Sequence, residues 1–151
     1  MVSSQKHKPT IVMVPGAWHP ASAFTPLVDA LRARGYAAEA HQLRSVGSTT
    51  ATVADDSAYL RSVLLFHMEK GDDVVLLVHS FAGFAGSEAI AGMHKKTRSA
   101  NGEPGGLVGV IWLASFLPEG DFNVIDMVEG PGATPPAWIK PDVGNLRLAG
   151  D

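Results

Sequence analysis

Three short apolar runs without polar interruption constrain the fold of this chain more than any other feature. They span residues 10–14, 74–78 and 107–113 and are rich in β-branched side chains. A strand that is apolar at every position, rather than at every second position, is typical of a parallel sheet covered on both faces. The runs therefore predict buried parallel strands, which need long crossover connections between them.

The segments between these runs have helical patterns. Thr25 is expected to cap a helix that ends at Gly35, and further helices are predicted over residues 53–70 and 81–95. A weaker strand is predicted over residues 36–40. Alternation of strands and helices indicates an α/β fold, a three-layer sandwich around a mostly parallel sheet.

The predicted core occupies residues 10–117 and forms one domain. Residues 1–9 are polar and are expected to be a flexible N-terminus. Residues 118–151 contain many prolines and glycines, so an irregular tail is expected there, with one or two helical turns over residues 121–128.

The composition excludes several classes of protein. The chain has 151 residues, 46% of them hydrophobic and 18% charged, which is sufficient for a globular core. A net charge of −3 offers no basic surface for nucleic acid, so no nucleic-acid partner is expected. There is no cysteine, which excludes disulfides, thiolate metal sites and thiol nucleophiles.

Nothing in the sequence predicts a membrane span, a cofactor or a metal site. No apolar run approaches the roughly 20 residues that cross a bilayer, and the N-terminus lacks an apolar signal core. The dinucleotide fingerprint is absent, and the acidic pairs at residues 55–56 and 72–73 are interpreted as a helix start and a strand entry. We therefore expect a soluble, cytoplasmic protein without cofactor or metal.

Ser80 lies where the second apolar run meets a helix with almost no loop between them. Ligands of open parallel sheets bind beyond the carboxyl ends of the strands, so this position faces a binding crevice. Such a sharp turn strains the backbone of its central residue and requires small neighbours. Ala82 fits this requirement, and Gly83 and Gly86 allow close helix packing, whereas Val78 fits poorly where glycine is usual.

Three segments in register resemble the α/β-hydrolase superfamily, in particular the branch of plant hydroxynitrile lyases, methyl esterases and small fungal hydrolases. VPGAWH at residues 14–19 is similar to the oxyanion loop, and VHSFAG at residues 78–83 to the nucleophile elbow. VIWLASFLPEG at residues 110–120 resembles the following strand and the start of a cap. The resemblance covers about residues 10–120 and implies the N-terminal half of the fold, with the strands in the spatial order second, first, third, fourth.

The resemblance implies a serine hydrolase that acts on an ester or lactone of a small molecule. Ser80 would be the nucleophile, and the backbone N–H groups of Ala17 and Phe81 would form the oxyanion hole. Lyase or cyclase chemistry on the same scaffold stays open. Together with Phe81, three further aromatic residues are expected to line an apolar pocket, namely Trp18, Phe116 and Trp138.

The catalytic base is the element that the resemblance does not supply. In this superfamily the serine is followed along the chain by an acid and then by a histidine. After Ser80 the sequence contains one histidine, His94, which the predicted helix would place roughly 21 Å away along its axis. The chain is therefore expected to stop within the cap, before the acid and the histidine. His19 is the possible local base, and His79 is expected to be structural.

Two functional hypotheses remain open at this stage. In the first, the chain is the ester- or lactone-cleaving serine hydrolase that the resemblance implies. The bare edge of the strand at residues 107–113 is in addition expected to pair in a homodimer or with a partner chain, which completes the sheet and could bring a histidine to Ser80. In the second, the chain is a non-catalytic pseudo-hydrolase that serves as a subunit binding a small molecule or a partner.

Overall fold

A four-stranded parallel sheet forms the centre of the computed structural model, which describes residues 8–118, 139–142 and 145–148. In space the strands follow the order β2-β1-β3-β4, and every neighbouring pair is parallel. The α/β class and the predicted strand order are thereby confirmed. The strands are β1 (Thr10–Val14), β2 (Ala38–Ala40), β3 (Asp73–His79) and β4 (Gly106–Leu113).

Helices cover both faces of this sheet, as two separate clusters of buried side chains show. On one face, Val12 and Val14 of β1 pack in a cluster with residues of α2 and α3, while the intervening Met13 packs with Val28 of α1 on the other. Strand alternation thus divides an entirely apolar run between two cores. The helices are α1 (Thr25–Ala33), α2 (Val53–Met68), α3 (Ala82–Ala89) and α4 (Lys95–Ala100).

The start of α2 is fixed by polar contacts that the acidic pair provides. Thr52 and Asp55 form a capping box, in which the Thr52 side chain accepts a hydrogen bond from the Asp55 N–H and the Asp55 carboxylate accepts one from the Thr52 N–H. Asp56 is fully buried, and its carboxylate accepts hydrogen bonds from the Ser45 N–H and hydroxyl. Both acids therefore lie in the first turn of α2, as the sequence predicted, where Asp55 caps the helix and Asp56 holds Ser45 of the preceding loop.

Two helix predictions were wrong in their bounds. The N-cap of α1 is Phe24, which ends a short 3-10 turn, and Thr25 is already the first helical residue. The helix expected over residues 81–95 is two helices, because the chain leaves α3 after Ala89 and Gly92 adopts a φ of 75°. Met93 is buried between them, and its carbonyl accepts a hydrogen bond from the Leu107 N–H of β4.

Residues 139–142 and 145–148 form a small sheet where an irregular tail was expected. Strand β5 (Ile139–Asp142) pairs antiparallel with β6 (Asn145–Leu148), and Pro141 stands opposite Leu146. Both strands of a two-stranded sheet are edge strands, where proline is tolerated, so the prediction of irregular structure was wrong here. The helical turns predicted at residues 121–128 lie outside the described residues.

Of the helices in the described residues, none combines the length and apolar character that a membrane span needs.

Candidate active site

Ser80 occupies the sharp strand-to-helix turn that the sequence predicts. β3 ends at His79 and α3 begins at Ala82, so only Ser80 and Phe81 connect them. The φ angle of Ser80 is 52°, in the left-handed region that residues with a Cβ atom rarely adopt. This conformation costs about 1–2 kcal/mol per residue. We call residues 78–83 the nucleophile elbow.

Backbone strain of this kind is concentrated at the carboxyl ends of the strands. Among the described residues, positive φ angles at non-glycine positions occur at Trp18 (63°), Ser80 (52°) and Ala114 (41°). Each of them follows the carboxyl end of a strand, and the three strands, β1, β3 and β4, are neighbours. Strained backbone is retained where function or tight packing imposes it, which marks the carboxyl end of the sheet as a candidate site.

A small residue on the helix accommodates Val78, the residue that fits the elbow pattern poorly. Val78 is fully buried, and a Cβ atom added to Gly86 would lie 2.8 Å from its Cγ1. The larger side chain is therefore on the strand, at Val78, and the glycine is on the helix, at Gly86. The elbow keeps its close packing without a glycine at residue 78.

The oxyanion loop (residues 14–19) lies directly against the serine. A Cβ atom on Gly16 would be 2.8 Å from the Cβ atom of Ser80, so only glycine allows this approach. The Gly16 N–H donates a hydrogen bond to Nδ1 of His79 at 3.3 Å, which ties the loop to the end of β3. Ala17 follows at once, and its role as an oxyanion donor stays a prediction.

His19 belongs to the oxyanion loop and His79 to the nucleophile elbow. Nδ1 of His19 donates a hydrogen bond to the Ala17 carbonyl at 2.7 Å, so only Nε2 would be free to accept a proton. The two imidazole rings lie edge to face, with their centroids 6.1 Å apart. The contact of His79 with Gly16 agrees with a structural role, and the role of His19 as a base stays a prediction.

The remaining described histidines are engaged elsewhere. His94 was expected inside a helix, but it caps α4, where its Nδ1 accepts a hydrogen bond from the Lys96 N–H. His41 and His67 both donate through Nε2 to the same Oε1 atom of Glu39 on β2, at 2.7 and 2.8 Å. Burial raises the pKa of Glu39, but the hydrogen bonds from His67 and His41 outweigh it and hold the pKa below the ordinary value of a glutamate.

Ser115 is a residue of the site that sequence reasoning missed. It belongs to the β4 exit turn (residues 114–117), which directly follows the last pair of β3 and β4, His79 with Leu113. The Ser80 N–H donates to the Leu113 carbonyl, and the Ser80 carbonyl accepts hydrogen bonds from the Ser115 hydroxyl at 2.9 Å and from the Phe116 N–H at 3.2 Å. Its position directly after the strand next to β3 was the available signal.

The aromatic residues predicted to line a pocket lie in two groups. Phe81 and Phe116 both contact Phe84, with ring centroids 5.3 and 5.0 Å apart. Trp18, on the oxyanion loop, is 37% exposed. Trp138 lies outside the described residues, and the pocket itself stays a prediction. Within the part of the chain that the structure describes, no cluster of three or more potential ligands is arranged to hold a metal.

A parallel α/β sheet with a strained serine between a strand and the following helix defines the class of nucleophile-elbow proteins. The sequence pattern of the alpha/beta hydrolase family matches residues 11–150. The chain belongs to that family, which confirms the resemblance on which the sequence interpretation rests.

Two fungal proteins show the same relationship. The chain is 33% identical over 117 residues to the alpha/beta hydrolase nvfD of Aspergillus novofumigatus (strain IBT 16806), an alignment that covers 76% of this chain and 46% of that protein. It is 26% identical over 115 residues to the probable hydrolase R7 of Phoma sp. (strain ATCC 20986 / MF5453), covering 74% and 44%. The chain thus spans less than half the length of these relatives.

A solved structure with the same fold is an extracellular alpha/beta-hydrolase from a Paenibacillus species, described as sharing structural and functional homology with tobacco salicylic acid binding protein 2. The TM-score is 0.57, the sequence identity is 16%, and the alignment covers 74% of this chain and 43% of that one. At this identity the likeness shows the fold alone.

Proposed function

We propose that this chain carries the nucleophile and the oxyanion hole of a serine hydrolase that cleaves an ester or lactone of a small molecule. The observation that carries the proposal is the strained Ser80 at the start of α3, with the oxyanion loop packed against it. A serine held this way exposes its hydroxyl above the sheet, where parallel sheets bind their ligands. The names of the fungal relatives support hydrolysis as the reaction class.

The reaction follows from these positions. Ser80 Oγ attacks the substrate carbonyl carbon and gives its proton to a base, and the carbonyl oxygen becomes an oxyanion. The N–H groups of Phe81 and Ala17 stabilise this oxyanion, and the helix dipole of α3 adds to their effect. The intermediate then expels the alcohol oxygen, which takes the proton from the base, and water hydrolyses the acyl-serine.

The base has two candidate sources. His19 lies on the oxyanion loop and could use its Nε2 atom. A second chain could instead supply a histidine by pairing with β4, which forms the outer edge of the described four-stranded sheet. The exposed side chains of Val108, Ile111 and Leu113 make this edge strand apolar, and such an edge is a template for association. We favour a homodimer or a partner chain that completes the sheet.

A fluorophosphonate probe, which forms a covalent bond only with an activated serine, tests the proposal. Intact-mass and peptide analysis should show one label per chain, at Ser80, that is lost in Ser80→Ala and kept in Ser62→Ala. Ser62 is a matched control because its hydroxyl is exposed on α2 and bonds only to the Tyr59 carbonyl among the contacts observed.

The concentration dependence of labelling separates the two sources of the base. A labelling rate that rises with protein concentration and survives His19→Ala favours a histidine from another chain. A rate independent of concentration and abolished by His19→Ala favours the local base. Absence of label from the folded protein at every concentration would refute the enzymatic proposal.

The alternative is a non-catalytic subunit that binds a small molecule or a partner. It is favoured by the geometry of His19, whose observed hydrogen bond goes to Ala17 and not to Ser80. A folded protein that resists the probe but binds apolar esters in a calorimetric titration would establish this alternative. The proposed cytoplasmic location is tested separately, by cell fractionation.

A further inference from the structure

The carbonyl oxygen of Ser80 accepts three hydrogen bonds. It accepts from the Gly83 N–H at 3.1 Å, from the Phe116 N–H at 3.2 Å and from the Ser115 hydroxyl at 2.9 Å. The first donor is local to the elbow, whereas the other two come from the β4 exit turn, about a quarter of the chain away. A backbone carbonyl has two lone pairs, so this oxygen is fully engaged.

These bonds fix the direction of a second group. The Ser80 carbonyl and the Phe81 N–H belong to the same peptide unit, which is planar and trans, so the two groups point in opposite directions. Donors that hold the oxygen on one side therefore aim the Phe81 N–H to the other side. Under the proposed function, that N–H is one of the two oxyanion donors.

The local sequence allows the exit turn to reach this position. Ala114 adopts a φ of 41°, which turns the chain back over Ser80 immediately after β4. A Cβ atom on Gly83 would lie 2.0 Å from the Phe116 carbonyl oxygen and 2.4 Å from Ser115 Oγ, so glycine is required where the turn rests on α3. Gly83 was expected to pack α3 against its own strand, but it accommodates the exit turn instead.

We propose that Ser115 is a positioning residue of the active site, which orients the oxyanion donor Phe81 N–H through the Ser80 carbonyl. Two of the three donors to that carbonyl are backbone groups, and Ser115 is the side-chain donor. Its hydroxyl can therefore be removed without changing the backbone chemistry. This role rests on the proposed function, because it assigns Ser115 to the same site.

Labelling kinetics with the fluorophosphonate probe test the role in catalysis. Loss of an entire oxyanion donor lowers rates by about 10²–10³, so loss of its orientation should cost a part of this, about tenfold. Ser115→Ala should lower the maximal labelling rate constant about tenfold with little change in the half-saturating probe concentration. Ser115→Thr, which keeps the hydroxyl, should recover most of the rate.

Ser87 provides the matched control. Its hydroxyl also donates to a backbone carbonyl, that of Gly83 at 2.8 Å, but this bond does not touch the Ser80–Phe81 peptide. Ser87→Ala should therefore label within twofold of the wild-type rate. An equal loss in Ser87→Ala and Ser115→Ala would indicate a general effect of packing and overturn the proposal.

The amide residual dipolar coupling of Phe81 measures the orientation of the N–H bond without reference to activity. It should change in Ser115→Ala and stay at the wild-type value in Ser87→Ala. If Ser115→Ala does not fold, Ser115→Cys, which keeps the shape with a weaker donor, takes its place.

An unchanged Phe81 coupling overturns the inference whatever the labelling shows. A wild-type protein that takes no label at Ser80 refutes the proposed function, and the coupling alone then decides whether Ser115 orients the peptide.

Discussion

Replacement of Ser80 by glycine should stabilise the fold relative to replacement by alanine. Both variants lack the hydroxyl, so they differ only in the Cβ atom at a backbone φ of 52°. The left-handed conformation costs a residue with a Cβ atom about 1–2 kcal/mol, and glycine almost nothing. Glycine also loses more conformational entropy on folding, which offsets about 0.4–1 kcal/mol. The expected net advantage of Ser80→Gly is therefore about 1 kcal/mol.

Urea unfolding followed by circular dichroism measures this difference. For a chain of this size, about 1 kcal/mol corresponds to about 2–4 °C in Tm, so thermal unfolding gives a second estimate. Ser62 is the control, because it lies in the middle of α2 and is exposed. There the order should be reversed, with glycine about 1 kcal/mol less stable than alanine.

The reversal of sign between the two positions is the decisive result. If glycine were as inferior to alanine at residue 80 as at residue 62, the residue would not be held in the left-handed region and the elbow geometry would be refuted. A Ser80→Gly variant that is also more stable than the wild-type protein would show that the wild-type chain retains strain at the position of its proposed nucleophile.

Two further predictions concern other contacts. Gly83→Ala should destabilise the fold by about 3 kcal/mol or more on urea unfolding, because its Cβ atom would meet the Phe116 carbonyl oxygen at 2.0 Å. Gly109→Ala, whose Cβ atom would meet only Val75 at 3.9 Å, should be neutral or slightly stabilising, and equal losses at both glycines would contradict the reasoning. The lowered pKa of Glu39 means that its contribution to stability is present above its unfolded-state pKa and is lost as the pH falls through the lower folded-state pKa. Glu39→Gln should therefore be less stable than wild type near pH 6. The difference should be less than about 1 kcal/mol, because the carboxyl group is partly exposed. When the free energy of unfolding is measured across pH, the difference should vanish below the folded-state pKa of Glu39.

The strands were predictable because their signal is local. Each long strand coincides with an apolar run, and the observed bounds differ from the predicted ones by at most one residue at each end. The elbow was predictable for a related reason, since a strand that meets a helix without a loop leaves few backbone conformations for Ser80. Pattern and geometry agree at these positions.

Contacts between distant segments were not predictable from the same patterns. The chain ends α3 early because Met93 is buried and its carbonyl pairs with Leu107, and neither fact is visible in the glycine- and alanine-rich sequence. The contact of Ser115 was not predictable for the same reason. Its position directly after β4 indicates that it lies near the end of β3, but nothing in its immediate sequence indicates that its hydroxyl meets the Ser80 carbonyl.

The candidate site is consequently a property of the sheet rather than of the elbow sequence. Trp18, Ser80 and Ala114 are each strained, and each follows a different strand, so their relative positions depend on the register of β1, β3 and β4. Val14 pairs with Val78, and His79 pairs with Leu113, which brings the three strand ends to the same level. A slip of one residue at either pairing would separate Gly16 from Ser80 or the Ser115 hydroxyl from the Ser80 carbonyl. The side chains of β1 and β3 are largely buried on both faces of the sheet, and a slip would exchange the side chains of the two cores, which holds the register of these strands.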